Sequence, residues 1–182
     1  MRLYPALVST LGSLALVAFG SALVISLLLT NATGRTLLEE AFSDRRRTVL
    51  GLGFGVAAIA MSGSLYLSEI AHLVPCELCW FQRIAMYPMV PLLAIGWLRG
   101  DIEVWRYGLA LSIPGAAIAA YHVTIQWMPT LEVGTCGIGA PCTARYVAVF
   151  GFVSIPTMAG SAFLLLTALF ALLRHLKNVP NE

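Results

Sequence analysis

Five long apolar runs, separated by short polar connections, organise this chain. Ala6 to Thr30 carries no charged residue, Val49 to Ile70 only Glu69 near its end, Phe81 to Leu98 only Arg83 near its start, and Tyr107 to Trp127 and Val149 to Leu173 none. A helix of about 20 mostly apolar residues crosses the hydrocarbon core of a bilayer. None of the runs alternates with the period of two that marks a half-buried strand. The pattern predicts five membrane-spanning helices joined by Asn31–Thr48, His72–Trp80, Arg99–Arg106 and Met128–Ala148. The first run is longer than the usual 7–15-residue apolar core of a signal peptide. The Asn31-Ala32-Thr33 that follows is a poor cleavage site, so Ala6–Thr30 is expected to remain as a helix.

Composition agrees with a lipid environment. Of the 182 residues, 59% are hydrophobic and 11% charged, against about 25% charged in soluble domains; the mean hydropathy is +0.84. A net charge of +2 does not suit nucleic-acid binding.

The basic residues matter through their placement. Arg35, Arg45, Arg46, Arg47, Arg99, Arg106, Arg174 and Lys177 fall on one side of a five-span topology, and Arg2 and Arg145 on the other. The Lys/Arg-rich side is the cytoplasmic one, which puts the C-terminus inside and the N-terminus outside. His72–Trp80 and Met128–Ala148 then share the extracytoplasmic face. The Arg45–Arg47 run is expected to be a topology signal in contact with anionic lipid.

Those two outer connections hold all four cysteines, as the close pairs Cys76/Cys79 and Cys136/Cys142. Disulfides form and persist on that side of a membrane. A Cys-X-X-Cys bond closes a very small loop and gains little chain entropy, so redox chemistry suits the pair better than a structural staple. A zinc site with two ligands from each loop is the metal alternative, although Cys136-X5-Cys142 is loosely spaced for it. Haem attachment is excluded for the first pair, because Trp80 and not His follows Cys79. Cys79 is expected at the start of the Phe81–Leu98 helix, where the helix dipole favours a thiolate. Arg83, four residues on, shares its helix face, so Cys79 is expected to be the low-pKa thiol. Arg83 is otherwise expected to snorkel to headgroups or to pair with Glu69.

The stretch Pro75-Cys76-Glu77-Leu78-Cys79-Trp80-Phe81-Gln82-Arg83-Ile84-Ala85-Met86-Tyr87-Pro88 closely resembles the signature of the disulfide bond formation protein B family, including its shorter members. The likeness extends through Tyr121-His122-Val123-Thr124-Ile125-Gln126, the Cys136–Cys142 loop and Ser154-Ile155-Pro156-Thr157, roughly Val49 to Leu173. The short second loop departs from the pattern with a long loop and a helix of its own. The resemblance implies an all-α membrane protein, a four-helix transmembrane bundle with, here, one additional N-terminal transmembrane helix. The expected organisation is residues 1–48 for that helix and a basic loop, 49–175 for the bundle and 176–182 for a cytoplasmic tail.

The resemblance also implies a function. The family sits in the bacterial inner (plasma) membrane, reoxidises a soluble thioredoxin-fold thiol oxidase outside it, and passes the electrons to a lipid quinone, ubiquinone or menaquinone. By position, Cys79 would lie nearest the quinone and Cys76 would be its disulfide partner. Arg83 would hydrogen-bond a quinone carbonyl, and His122 would lie beside the quinone. Cys136 would form the mixed disulfide with the soluble partner, with Cys142 as its mate. His122 has the plainer alternative of an interfacial polar residue. The competing class is a membrane metal-binding or transport protein holding its ion on four thiolates. Pro88, Pro91, Pro114 and Pro156 are expected as ordinary kinks, and Gly51, Gly53 and Gly55 as a close helix-packing face.

Overall fold

The structure, a computed structural model, describes residues 3–133, 136 and 140–177. Arg2, the Gly137–Gly139 part of the second cysteine motif and tail residues 178–182 lie outside the described residues.

The apolar runs form helices α1 (Leu3–Thr30), α3 (Arg46–Leu65), α4 (Glu77–Met86), α5 (Met89–Arg99), α6 (Trp105–Trp127) and α7 (Ile155–Leu176). With α4 and α5 taken as one span, five stretches are long and apolar enough to cross a membrane. The protein is therefore an all-α membrane protein. Three boundaries differ from the sequence expectation. The Asn31–Thr48 connection is not a loop but contains a short amphipathic helix, α2 (Ala32–Phe42), which buries Leu38. Glu39 accepts a 2.8 Å hydrogen bond from His175 Nε2 on α7. The run Phe81–Leu98 is broken at Tyr87–Pro88, because proline has no N–H to continue the helix. Val149–Ser154 is apolar yet not helical. Val149 and Val153 exchange backbone bonds of 3.0 and 2.9 Å around Phe150 (φ 54°) and Gly151 (φ 81°), and the left-handed pair turns the chain into α7.

α7 is the axis of the bundle, with α1, α3 and α6 packed around it. Half of its most apolar window is buried, against 17% for α1. The α6–α7 seam is close because two glycines accept aromatic rings: a Cβ at Gly108 would overlap the Phe170 ring, and one at Gly115 the Phe163 ring. Gly51 and Gly53 similarly admit Trp97 and Leu93 of α5, as the packing-face expectation holds, whereas nothing lies within 4 Å of Gly55.

The basic end of the bundle is tied by its charges. Arg47 donates to the carbonyls of Trp97 and Leu98 at 3.0 and 3.2 Å, capping the C-terminus of α5. The run expected as a topology signal thus also closes a helix end. Glu103 accepts from Arg106 at 2.9 Å and from Lys177 at 2.6 Å, joining the start of α6 to the end of α7. The cysteines lie at the opposite end.

Candidate functional site

Cys76 is the N-cap of α4. Its backbone is extended (φ −77°, ψ 172°), and its Sγ accepts from the Cys79 N–H at 3.4 Å. The helix thus begins earlier than expected, at Glu77, with Cys79 in its first turn. The two sulfurs are 2.8 Å apart and reduced, and share a hydrogen bond. Cys76 is buried and Cys79 half-buried.

The second pair is joined as a Cys136–Cys142 disulfide. Cys142 is only 1% exposed and Cys136 is half-buried, so Cys136 is the more accessible member of the pair. The four-thiolate metal site weighed from the sequence would need this bond reduced.

Three side chains of α6 clamp the second loop beside the first pair. The Tyr121 hydroxyl accepts from Val133 N–H at 3.0 Å and donates to Leu131 O at 3.4 Å. Gln126 Nε2 donates to Ala144 O at 3.2 Å. His122, 1% exposed, places Nε2 3.0 Å from Cys142 O and 3.7 Å from Cys76 Sγ. A carbonyl can only accept, so Nε2 carries the proton, and the same N–H faces the Cys76 sulfur. His122 is therefore no stray interfacial residue; it is the buried link between the two cysteine pairs. Cys76, Cys79 and His122 present three ligand atoms within 4.8 Å of one another, but Nε2 is engaged as a donor to the carbonyl.

These donors make the two thiols unequal in the opposite sense to the sequence expectation. The hydrogen bond from the Cys79 thiol pulls the Cys76 pKa well below the usual thiol range; burial opposes this, and the His122 N–H and the Cys79 backbone N–H add to it. In the reduced state the charge belongs on Cys76. Its folded pKa lies below the unfolded value of about 8.5. The resulting stabilisation of the reduced fold is thus complete above about pH 8.5, and is lost as pH falls through the lowered value. His122→Phe removes one donor and is expected to move the thiolate titration of the reduced protein to higher pH. Ultraviolet thiolate absorbance measures this directly, and an unchanged midpoint would remove His122 from the account.

Arg83 neither snorkels nor meets Glu69. Its Nε donates to Ser64 Oγ at 3.0 Å and its Nη2 to Ser64 O at 3.1 Å, and its guanidinium lies 5.2 Å from the Trp80 ring centroid. Ser64 also accepts from the Tyr87 hydroxyl at 3.2 Å. This serine lies just before the π-helical turn Tyr66–Ile70 that ends α3. Glu69 is exposed and accepts from Ser68 instead.

Below the cysteines a cavity of about 340 Å³ opens between α1, α3, α4 and α7. Cys76, Cys79, Gln82, Arg83 and His122 line one end, and most of the rest is apolar. Gln82 is 5% exposed, and its Nε2 has no hydrogen-bond partner. The structure thus gathers all six sequence-predicted site residues at one end of the bundle. It adds Ser64 and Gln82, which sequence reasoning missed. Gln82 stood in the quoted motif without a role; its amide among apolar neighbours, one position before Arg83, was the available signal.

Comparison with known proteins decides the family. The model of the family described as Disulfide bond formation protein DsbB matches residues 46–173, more than half of the chain. The chain belongs to this family. It is 45% identical to Disulfide bond formation protein C of Bacillus subtilis (strain 168) over 124 residues, 68% of this chain and 90% of that protein. It is 41% identical to Probable disulfide formation protein C 2 of Bacillus anthracis over 137 residues, 75% of this chain and 97% of that protein. To Probable disulfide formation protein C of Halalkalibacterium halodurans it is 46% identical over 119 residues, 64% of this chain and 87% of that protein. No solved structure matches. Membership makes the protein a multi-pass membrane disulfide oxidoreductase and agrees with the redox reading of the cysteines.

Proposed function

We propose that this protein is a thiol:quinone oxidoreductase of the bacterial plasma membrane. It reoxidises a soluble, extracytoplasmic thioredoxin-fold thiol oxidase and hands the electrons to a membrane quinone, ubiquinone or menaquinone. The observation that carries this reading is the position of His122, whose single Nε2–H faces both the Cys142 carbonyl and the Cys76 sulfur. A bonded pair and a reduced pair therefore meet at the head of one apolar cavity. With the basic end cytoplasmic, both pairs face the oxidising side.

The residues fit a quinone. The cavity volume of about 340 Å³ lies in the range of small-molecule sites, and the buried, partnerless Gln82 amide offers a donor. Gln82 and Arg83 would hold the carbonyl oxygens, and the apolar walls the ring and tail. Bound there, a quinone supplies a two-electron, two-proton acceptor.

The chain's own residues do the thiol exchange. The partner's thiolate attacks Cys136 Sγ, which breaks the Cys136–Cys142 bond and forms a mixed disulfide. The partner's second thiol then displaces Cys136 and leaves the partner oxidised, with Cys136 and Cys142 as a dithiol. That dithiol attacks the Cys76–Cys79 disulfide at Cys76 and expels Cys79. Reclosure of Cys136–Cys142 releases Cys76 as a thiolate facing the His122 N–H. The product is one closed pair, Cys136–Cys142, and one reduced pair, Cys76 and Cys79. When Cys76 and Cys79 close again, they release two electrons and two protons.

The test is a purified-protein assay with a reduced thioredoxin-fold oxidase and each quinone. One quinol is expected per partner disulfide, and no quinol from either quinone would overturn the reading. In the same assay, Arg83→Lys replaces a two-pronged planar donor by a point charge. It is expected to raise the quinone KM on the order of tenfold with a smaller change in kcat. An unchanged KM would leave Arg83 as a tie between α4 and α3.

A further inference from the structure

α1 lies outside the residues matched to the family, which begin at residue 46, yet it forms one wall of the cavity. Its Leu11, Leu14, Ala15, Val17, Ala18 and Ser21 line it, as do Ala159 and Phe163 of α7. The helix is seated closely at the cysteine end. A Cβ on Gly63 of α3 would stand 3.2 Å from Leu11 Cδ1, and one on Gly12 would stand 2.8 Å from Val149 Cγ1. Below that seat, small side chains leave space where larger ones would fill it. From Leu11 to Ser21 the wall runs about 15 Å along the helix axis. The space is thus elongated and mostly apolar along its length, with Ser21 at one end and Gln82 and Arg83 at the cysteine end. There the buried amide of Gln82 has no partner.

We propose that α1 gives this protein an apolar channel for the hydrocarbon tail of its quinone, with Gln82 as a donor to a carbonyl at the head. The proposal rests on the quinone reading above. A long apolar space ending in a neutral amide suits one isoprenoid chain carrying a carbonyl head. It suits a phospholipid less, since that would bring a bulky anionic headgroup to the same place. α1 is then a determinant of tail recognition that the matched part of the family fold lacks.

The test compares binding of a tail-bearing quinone and the same head without a tail to the full-length protein, with Kd taken from the ligand-dependent rise in thermal stability. Ala18→Phe, which fills the channel, is expected to weaken the tail-bearing quinone on the order of tenfold and to leave the tail-free one unchanged. Leu16→Phe, on the lipid-facing side of α1 where Leu16 is 40% exposed, is expected to change neither. A photoreactive group at the tail's end should crosslink within Leu11–Ser21. If Ala18→Phe changes both quinones equally or neither, the channel assignment is wrong while the quinone reading stands. If the wild-type protein binds neither quinone, both fall. If Ala18→Phe depletes only co-purified phospholipid, the occupant is a lipid acyl chain and the proposal fails.

Discussion

Replacing Cys79 by serine is expected to bring thiol-dependent turnover to background. The fall should be roughly a thousandfold or more, as when a covalent nucleophile is removed. The variant keeps the Cys136–Cys142 disulfide and its clamp on α6, because Tyr121, His122 and Gln126 hold that loop without help from Cys79. One equivalent of reduced partner should therefore still be oxidised by the outer pair. Turnover should then stop, since Cys76 alone cannot form the intramolecular disulfide that accepts the next two electrons. Cys136→Ser is expected to fail earlier, with no oxidised partner at all, because it removes the half-buried sulfur that the partner attacks. Quenched-flow trapping of partner thiols with an alkylating agent counts these equivalents. One equivalent from Cys79→Ser and none from Cys136→Ser is the signature of two pairs in series. Continued turnover in Cys79→Ser would mean that the outer pair reaches an acceptor without the inner one.

The spans were legible because membrane-crossing length is written directly in the apolar runs. The boundaries were less so, for reasons of local chemistry. The break at Tyr87–Pro88 follows from a missing N–H, and the sequence held that signal. Val149–Ser154 is as apolar as the helix it precedes, and only the left-handed Phe150–Gly151 pair turns it aside. The helix start mattered most. A start at Cys79 makes that thiol the favoured thiolate, whereas a start at Glu77 makes Cys76 the cap and directs the Cys79 N–H at its sulfur. This two-residue difference adds the Cys79 N–H to the Cys79 thiol hydrogen bond that puts the charge on Cys76.

The identities of the site residues were readable from the motif, but their partners were not. Arg83 meets Ser64 across the α3–α4 connection, and His122 meets a carbonyl on a loop that folds back over it. Both contacts depend on packing between elements. The packing of α1 did have a trace in the sequence, since Gly12, Ala15, Ala18 and Ala22 recur at helical spacing on one side of the helix. Such a stripe marks a face that approaches other helices.

Gly115→Ala is expected to be a costly change for a single methyl group. Phe163 is fully buried, lines the cavity and lies on the bare backbone of Gly115, so the new methyl would overlap its ring. Either α6 separates from α7 or the ring swings into the cavity. Overpacking of this kind costs about 1–3 kcal/mol, occasionally more. The same methyl at Gly55, where nothing lies within 4 Å, meets no such ring and relieves the backbone entropy that glycine carries in a helix. Gly55→Ala is therefore expected to be neutral or stabilising. The damage at Gly115 should also reach the chemistry. His122 lies two turns further along the same helix, roughly 10 Å away, and its link to Cys142 and Cys76 tolerates little displacement. Thermal unfolding in detergent should show Gly115→Ala destabilised, and adding Phe163→Leu should recover part of the loss, because removing ring atoms makes room for the methyl. If the double variant is no more stable than the sum of its singles predicts, the ring is not what Gly115 makes room for, and the α6–α7 seam must be held by other contacts.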